Sequence, residues 1–319
     1  MTSRRKILQF LAATGIAQAT TAFAQVTKKI PRIGFLAPSA AANQALVFFR
    51  QGLRELGYVE GTDIQIDFRP GENAKVLNEA AADLVIQKAD ILVTVVSAGA
   101  DAARQATREI PIVLAPIGDA VAQGFVPSLS KPGGNITGIS INAAEAAGKC
   151  LEILSEVVPR ARRVAALADS TESFSKLFVE QLQRTAQHLR MDFHPIMVKG
   201  ASDATTGLQA LAKVKPDMAI VQSPLGVRFA EQVLKQGIAT AAPSNVMAPA
   251  CLVTYSADMP DMYRLAANYV DRILKGAKPA ELPMQQPTKF EVIVNVNAAR
   301  TLGMTIPQSV LLRATRVIE

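Results

Sequence analysis

The amino-acid sequence predicts an α/β protein in which two similar lobes are each built on a parallel sheet. Short apolar segments rich in β-branched residues alternate with segments of helical periodicity almost to the end of the 319-residue chain. This alternation is typical of βαβ units with right-handed crossovers. The strand segments are nearly continuous apolar runs, as expected when helices cover both faces of a sheet. The pattern runs through the chain twice, which predicts two lobes.

The first series predicts a strand-helix alternation that ends near Ser140. The predicted strands are 32–36, 64–68, 91–96, 111–115 and 135–141, and the predicted helices are 44–55, 76–87 and 100–107. Gly57 follows the first helix and is suited to end it, because glycine accepts the left-handed conformation common after helices. The stretch 131–135, Lys-Pro-Gly-Gly-Asn, is rich in turn formers and lies just before the last strand.

The second series repeats the alternation and ends near Ser256. The predicted strands are 163–168, 192–198, 218–222 and 251–255, and the predicted helices are 144–157, 173–189, 206–213 and 227–236. A long helix at 262–274, closed by Gly276, and a strand at 289–296 complete the chain.

The N-terminus predicts an export signal at residues 1–24. A basic start at 3–6 precedes the mostly apolar run 7–19, and Ala22-Phe23-Ala24 supplies the small residues that a signal peptidase requires. The order Ser-Arg-Arg-x-Ile-Leu at 3–8 also resembles a twin-arginine signal. The alternative is a buried amphipathic first helix. We expect cleavage after Ala24 and a periplasmic mature protein, exported by the twin-arginine or the general secretory route.

Composition indicates an ordered globular protein rather than a nucleic-acid-binding one. Hydrophobic residues make up 49% and charged residues 19% of the chain, whose formal charge is +7, or +4 without the three basic residues of the signal. This charge is scattered, so we expect no nucleic-acid partner. Cys150 falls within a predicted helix and Cys251 at the start of a strand, and we expect both to be buried free thiols, with a disulfide as the alternative.

Candidate ligand-binding residues follow the predicted strands, because ligands of doubly wound sheets bind outside the carboxyl ends of the strands. Hydroxyls, carboxylates and the free N–H groups of helix starts at these places suit a small carboxylate-bearing or amphipathic molecule. For each polar residue, an ordinary helix N-cap is the alternative. The candidates from these loops are Ser39, Ser97, Ala98, Asp119, Asp169, Ser223 and Leu225.

Catalytic motifs are scarce, and we therefore expect no enzyme activity, cofactor or metal. The sequence holds no Gly-x-Gly-x-x-Gly after a strand, no P-loop and no Gly-x-Ser-x-Gly. His188 and His194 lie around a helix-to-strand connection, away from the strand carboxyl ends. One enzyme alternative is a racemase that uses a pair of cysteines, although Cys150 and Cys251 do not fall in post-strand loops.

Several sequence blocks, in order, resemble one family across nearly the whole chain. They include FRQGLRELGYVEG at 49–61 and SKPGGNITG at 130–138. The other blocks are 33–36, 82–85, 118–121, 272–279, 282–283, 286–291 and 299–307. This series resembles the ABC transporter substrate-binding protein family that includes bacterial tryptophan- and phenylalanine-binding proteins.

The resemblance implies a type I periplasmic-binding fold, in which two doubly wound parallel-sheet lobes are joined by a three-crossover hinge. It implies one lobe of 25–140 plus about 257–288 and another of 141–256 plus about 289–319. It also implies a solute bound between the lobes of a monomer and delivered to an ABC permease in the inner membrane. A ligand-sensing module of the same fold is an alternative.

Three departures from the family pattern leave the solute open. Ala120 replaces the proline of a Gly-Asp-Pro-Val block, and Asp169-Ser170 replaces an Asn-Pro pair. Residues 244–248, Ser-Asn-Val-Met-Ala, replace an aromatic and acidic stretch that faces the expected cleft. We therefore expect Met247 to give that wall of the cleft an apolar lining.

Overall fold

The computed structural model describes residues 29–38 and 43–319, which form two sheets with helices packed against them. The first sheet has the strand order β2-β1-β3-β4-β5, and all its strand pairs are parallel. Its elements, in chain order, are β1 (Arg32–Ala37), α1 (Asn43–Glu55), β2 (Gln65–Pro70), α2 (Ala74–Ile86), β3 (Ile91–Thr94), α3 (Val96–Ala106), β4 (Ile112–Ile117) and β5 (Ile136–Ser140).

The second sheet has the strand order β12-β11-β10-β9-β8-β6-β7 and is parallel except between β10 and β11. The remaining elements are α4 (Ala143–Val157), β6 (Arg163–Asp169), α5 (Ser175–His188), β7 (Asp192–Val198), α6 (Ala204–Val214), β8 (Met218–Val221), α7 (Val227–Lys235), β9 (Ala239–Ala242), β10 (Val253–Ala257), α8 (Met259–Leu274), β11 (Phe290–Asn295), α9 (Val296–Thr301), α10 (Gln308–Leu311) and β12 (Arg316–Ile318).

Helix α8 packs with the first sheet although it follows strand β10 of the second. Its buried residues Ala266 and Val270 join Phe49 and Leu53 of α1 in one apolar cluster on the first sheet. At Gly52 the helices approach so closely that an added Cβ would lie 2.8 Å from the carbonyl oxygen of Arg264. We call the first sheet with α1–α3 and α8 the first lobe, and the second sheet with the other helices the second lobe.

Three connections join the lobes. The first, at 141–142, runs from β5 to α4; the second, at Asp258, runs from β10 to α8; the third, at 285–289, runs from the first lobe to β11. Gln285 in the third connection forms a parallel bridge with Ile139 of β5. The side chain of Gln286 donates a 2.7 Å hydrogen bond to Asn142, so the first and third connections are tied together.

The structure confirms the predicted α/β fold, and its differences from the predicted elements have local causes. Strand β3 ends at Thr94 rather than at 96, because Val96 takes a φ of 57° and opens α3. Strand β9 was not predicted, since Ala-Thr-Ala-Ala carries little β-branched character, and the three-residue edge strand β12 was also missed.

Cys150 in α4 and Cys251 before β10 are buried free thiols, as predicted. Burial raises the pKa of Cys150, and it raises the pKa of Cys251 to about 12. Both thiols therefore favour the protonated form at neutral pH, whereas the thiolate is the nucleophilic form. Within 29–38 and 43–319, no helix combines the length and the apolar character needed to cross a membrane.

Candidate functional site

The candidate site lies where the strand order of each sheet reverses. In the first sheet the chain moves from β1 outward to β2 and then returns to β3 on the other side, and in the second it does the same from β6 to β7 and then β8. Ligands of doubly wound folds bind outside the carboxyl ends of strands at such switch points. A ligand site is therefore expected at the segments that follow β1, β3, β6 and β8.

The turn from β3 into α3 forms the first-lobe side of the site. Val96 has a positive φ of 57°, which is an uncommon and strained conformation for a β-branched residue. The next residue, Ser97, is 4% exposed, and its Oγ lies 3.0–3.1 Å from the side-chain amide of Gln123. No side-chain cap hydrogen bond is made at the start of α3, which follows the carboxyl end of β3, so the N–H groups of its first turn can meet an anionic group.

The loop after β6 forms the second-lobe side, and Asp169 organises it. Its Oδ1 accepts hydrogen bonds from Thr171 N at 2.9 Å, from Thr171 Oγ1 at 2.7 Å and from Gly200 N at 3.1 Å. The backbone N–H of Asp169 donates to Oε1 of the buried Gln222, which follows β8, at 2.8 Å. Asp169 therefore holds the loops after β6, β7 and β8 together.

The two lobes touch at this place. Ser173 Oγ, in the loop after β6, donates a 3.2 Å hydrogen bond to Asp101 Oδ2 in α3, and Asp101 also pairs with Arg104 at 2.6 Å. Beside this bond the ring of Phe174 packs on Gly118, where an added Cβ would lie 2.9 Å from the ring. The structure thus has the segments after β4 and β6 in direct contact.

Glu172 lies half-buried at this contact. Burial raises its pKa from 4.5 to about 7, and the negative charges of Asp169 and Asp101 add to the shift. Around neutral pH this carboxyl group therefore exists in both protonation states. Within the described part of the chain, no three or more His, Cys, Asp or Glu side chains are arranged to hold a metal ion.

The structure places some of the predicted site residues at the switch points and others in turns or in the core. Ser97 and Asp169 lie at the switch points, with Ala98 in the first turn of α3, while Ser39 lies outside the described residues. Asp119 follows β4, and its Oδ1 caps the next turn by accepting from Val121 N and Ala122 N at 3.1 and 2.9 Å. This is the capping role that was the alternative for such residues.

The residues predicted after β8 and β9 contribute mainly to the core. Ser223 is half-buried at the start of a short 3₁₀ turn, Ser223–Leu225. Leu225 and Met247 are each 1% exposed and pack in the apolar cluster around Phe229. Neither apolar side chain presents surface to the space between the lobes in this structure.

Sequence reasoning missed the residues that bring the lobes together, namely Asp101, Ser173 and Phe174. Asp101 lies one turn inside α3, where a carboxylate usually faces solvent. Phe174 gives a detectable signal, because a large aromatic residue stands in the otherwise polar stretch 169–175. Its partner Gly118 gives none, since glycine is common after strands for many reasons.

Comparison with known proteins identifies a family and a fold. The family model described as "ABC transporter substrate binding protein" matches residues 39–318. A tyrosine-binding protein of Clostridioides difficile (strain R20291) is 27% identical over 290 residues, which cover 87% of this chain and 82% of that protein.

Solved structures show the same fold at low sequence identity. An ABC domain from Streptococcus pneumonia in complex with L-Trp superposes with a TM-score of 0.84 at 24% identity, covering 91% of this chain and 100% of that one. A ligand-free, open substrate binding protein from Clostridium difficile has a TM-score of 0.66 at 23% identity, and the match covers 91% of this chain and 99% of that one. A leucine binding protein from Thermotoga maritima gives 0.58 at 14% identity, covering 80% and 79%. The fold is thus the type I periplasmic-binding fold.

Proposed function

The chain belongs to the ABC transporter substrate-binding protein family, and from this premise we propose that it captures an amino acid with an aromatic side chain between its lobes. The observation that carries the proposal is the contact between Ser173 and Asp101, which brings the switch points of both sheets to one place. The relatives that bind tyrosine and L-Trp support the choice of ligand class.

The chemistry of the two sides suits a zwitterion. The uncapped first turn of α3, with Ser97 and Ala98, offers N–H groups to a carboxylate. The carboxyl groups of Asp101 and Glu172 lie nearby to accept hydrogen bonds from an ammonium group. In this proposal Asp119, Asp169 and Ser223 shape the loops, and Ser39, which lies outside the described residues, remains a predicted ligand contact.

We further propose that the lobes move as two bodies, 25–140 with about 257–288 and 141–256 with about 289–319. The packing of α8 on α1 supports this division. The higher TM-score with the L-Trp complex than with the open, ligand-free protein, at nearly equal identity, supports a closed arrangement here. A ligand that prefers the closed form shifts the population toward it, and a membrane permease would accept that form.

Thermal unfolding of the mature protein tests the ligand class. Tyrosine, tryptophan and phenylalanine should raise the melting temperature more than leucine does, because a ligand that binds only the folded state stabilises it by about 2.7 kcal/mol at 100 times its Kd. Phenethylamine and 3-phenylpropionate each lack one of the charged groups and should have smaller effects. If none of the three amino acids stabilises a folded sample, the proposed function is wrong.

The competing enzyme hypothesis predicts a different result. A cysteine-dependent racemase would lose all activity when Cys150 and Cys251 are both replaced by serine. We expect instead that the double variant, if folded, binds the same ligands with unchanged affinity. Racemisation by the parent protein that disappears in the double variant would support the enzyme.

We propose that residues 1–24, which lie outside the described residues, direct the protein to the periplasm and are removed by cleavage after Ala24. Family membership supports export. Replacing Arg4 and Arg5 by lysine should block export if the twin-arginine route is used, whereas undiminished export in cell fractionation would indicate the general secretory route.

A further inference from the structure

A cavity lies beside the connections between the lobes, and none of its lining residues belongs to the segments that follow β1, β3, β6 and β8. Its volume is about 300 Å³, which is within the range of small-molecule sites. We call it the hinge pocket, and it is lined by Asn142, Glu145, Ala146, Lys149, Tyr255, Gln286, Pro287 and Phe290. These residues come from α4, β10, β11 and the first and third connections.

One wall of the hinge pocket is aromatic. The rings of Tyr255 and Phe290 are stacked, with centroids 5.2 Å apart and planes within 2° of parallel. Phe290 is 37% exposed, which is unusual for a phenylalanine and leaves part of its ring for another aromatic group. The hydroxyl of Tyr255 makes no hydrogen bond to any described residue. Burial raises the pKa of this phenol, although the positive charge of Lys149 lowers it in part. At neutral pH the hydroxyl is therefore protonated and can donate a hydrogen bond.

The other wall carries one charge of each sign. Glu145 and Lys149 lie one turn apart on α4, both line the pocket, and they are not paired with each other. Lys149 instead forms a 2.7 Å surface ion pair with Glu152, while Glu145 accepts a 3.1 Å hydrogen bond from Asn142. Exposed ion pairs of this kind contribute little, about 0–1 kcal/mol, so Lys149 can turn to a ligand at small cost.

We propose that the hinge pocket is a second binding site that takes an α-amino acid with an aromatic side chain. The ring would pack on Phe290, the carboxylate would meet Lys149 and the Tyr255 hydroxyl, and the ammonium group would meet Glu145. Opposite charges beside an aromatic surface fit a zwitterion of this kind better than a purely apolar or singly charged molecule. The site goes beyond the proposed function, because it is lined by second-lobe residues and by the connections, and by none of the segments at the switch points.

Occupancy of the hinge pocket should influence lobe movement. The pocket includes Asn142 and Gln286, whose hydrogen bond joins the first and third connections. A ligand that contacts both connections binds best to one hinge geometry and therefore biases the equilibrium between open and closed forms.

Fluorine NMR of the 3-fluorotyrosine-labelled mature protein tests the site, since the chain has only four tyrosines. The Tyr255 resonance, assigned by Tyr255→Phe, should shift saturably as L-phenylalanine is added. In the double variant Glu145→Gln, Lys149→Met, the Kd obtained from this shift should rise at least about tenfold, which corresponds to a loss of about 1.4 kcal/mol. Lys176→Met with Glu180→Gln removes a comparable charge pair on α5 and should change nothing.

A variant that blocks binding between the lobes distinguishes binding at the hinge pocket from binding at the candidate site. Ser173→Trp fills the space between the lobes without touching the hinge pocket, and the Tyr255 shift should persist in it. Loss of the shift in this background, no saturable shift in the parent, or insensitivity to the Glu145 and Lys149 changes would each overturn the proposal. Small-angle scattering of protein with Ser173 intact tests the coupling. The L-phenylalanine concentration at which the radius of gyration changes should differ between the parent and the Glu145→Gln, Lys149→Met variant, and identical titrations would overturn the coupling.

Discussion

Glu172 shows how the contact between lobes changes the chemistry of a single residue. Its carboxyl group is half-buried and faces Asp169 of its own lobe and Asp101 of the other, so its charged form is disfavoured. The pKa of this group is raised from 4.5 to about 7 in the folded protein. The folded state therefore binds a proton more tightly than the unfolded state does, and stability depends on pH through this one group.

The sign of that dependence gives a prediction. The stabilising contribution of Glu172 is fully present below pH 4.5 and is lost as the pH rises toward about 7, so its part of the free energy of unfolding falls over this range and is level above it. Urea unfolding of the parent and of Glu172→Gln between pH 4.5 and 8 measures the difference. The variant should lack this downward component, while Glu180→Gln, which alters a more exposed carboxylate on α5, should keep it. Parallel curves for parent and Glu172→Gln would contradict the prediction.

At the scale of residues, the sequence predicted the loops better than the roles of their side chains. Ser97 and Asp169 were selected because they follow strands, and the structure places both at switch points. Asp119 was selected for the same reason, yet its carboxylate caps a turn. A carboxylate that caps and one that binds a ligand have the same sequence pattern, because both use free N–H groups at a helix or turn start. The distinction depends on the facing lobe, which lies far away in the sequence.

At the scale of elements, α8 is the helix whose packing the local sequence could not place. Its periodicity predicts a helix from 262, and the structure begins it at Met259, where Asp258 Oδ1 accepts from Asp261 N at 3.1 Å. Which sheet it covers depends on α1, about two hundred residues earlier. The sequence offers one sign of this packing in α1, namely Gly52, because a glycine inside a helix is typical of a close helix-helix approach.

Gly52→Val tests this packing. The added Cβ would lie 2.8 Å from the carbonyl oxygen of Arg264 and 2.9 Å from the Cβ of Ala267, so α1 and α8 must separate. We expect a loss of about 1–3 kcal/mol in the free energy of unfolding, the usual cost of overpacking. Arg54→Val, at an exposed position of the same helix, gives the cost of valine alone. Equal losses in denaturant unfolding would mean that the helices do not pack closely at Gly52.

At the scale of the whole molecule, the described residues show only a few groups that join the lobes away from the three connections. Ser173 and Asp101 contribute one hydrogen bond at 3.2 Å, and Gly118 lets the ring of Phe174 approach. A hydrogen bond of this kind contributes only about 0.5–1.5 kcal/mol. Such a small preference suits a binding protein, because a ligand can then decide which form is populated.

Gly118→Leu should hold the lobes apart. Because an added Cβ would already lie 2.9 Å from the Phe174 ring, a leucine side chain has no room while the lobes are in contact. We expect a larger radius of gyration by small-angle scattering in the ligand-free protein, and affinity for the ligand reduced at least about tenfold, since closing the lobes then costs about 1.4 kcal/mol or more. The melting temperature should change little, because each lobe keeps its own core.

Two further variants make this test specific. Gly134→Leu adds the same side chain to an exposed turn of the first lobe where nothing lies within 4 Å, and it should leave both scattering and affinity unchanged. Adding Phe174→Ala to Gly118→Leu removes the obstructing ring and should return the radius of gyration toward the parent value. If Gly118→Leu scatters like the parent, the arrangement of the lobes does not depend on this contact.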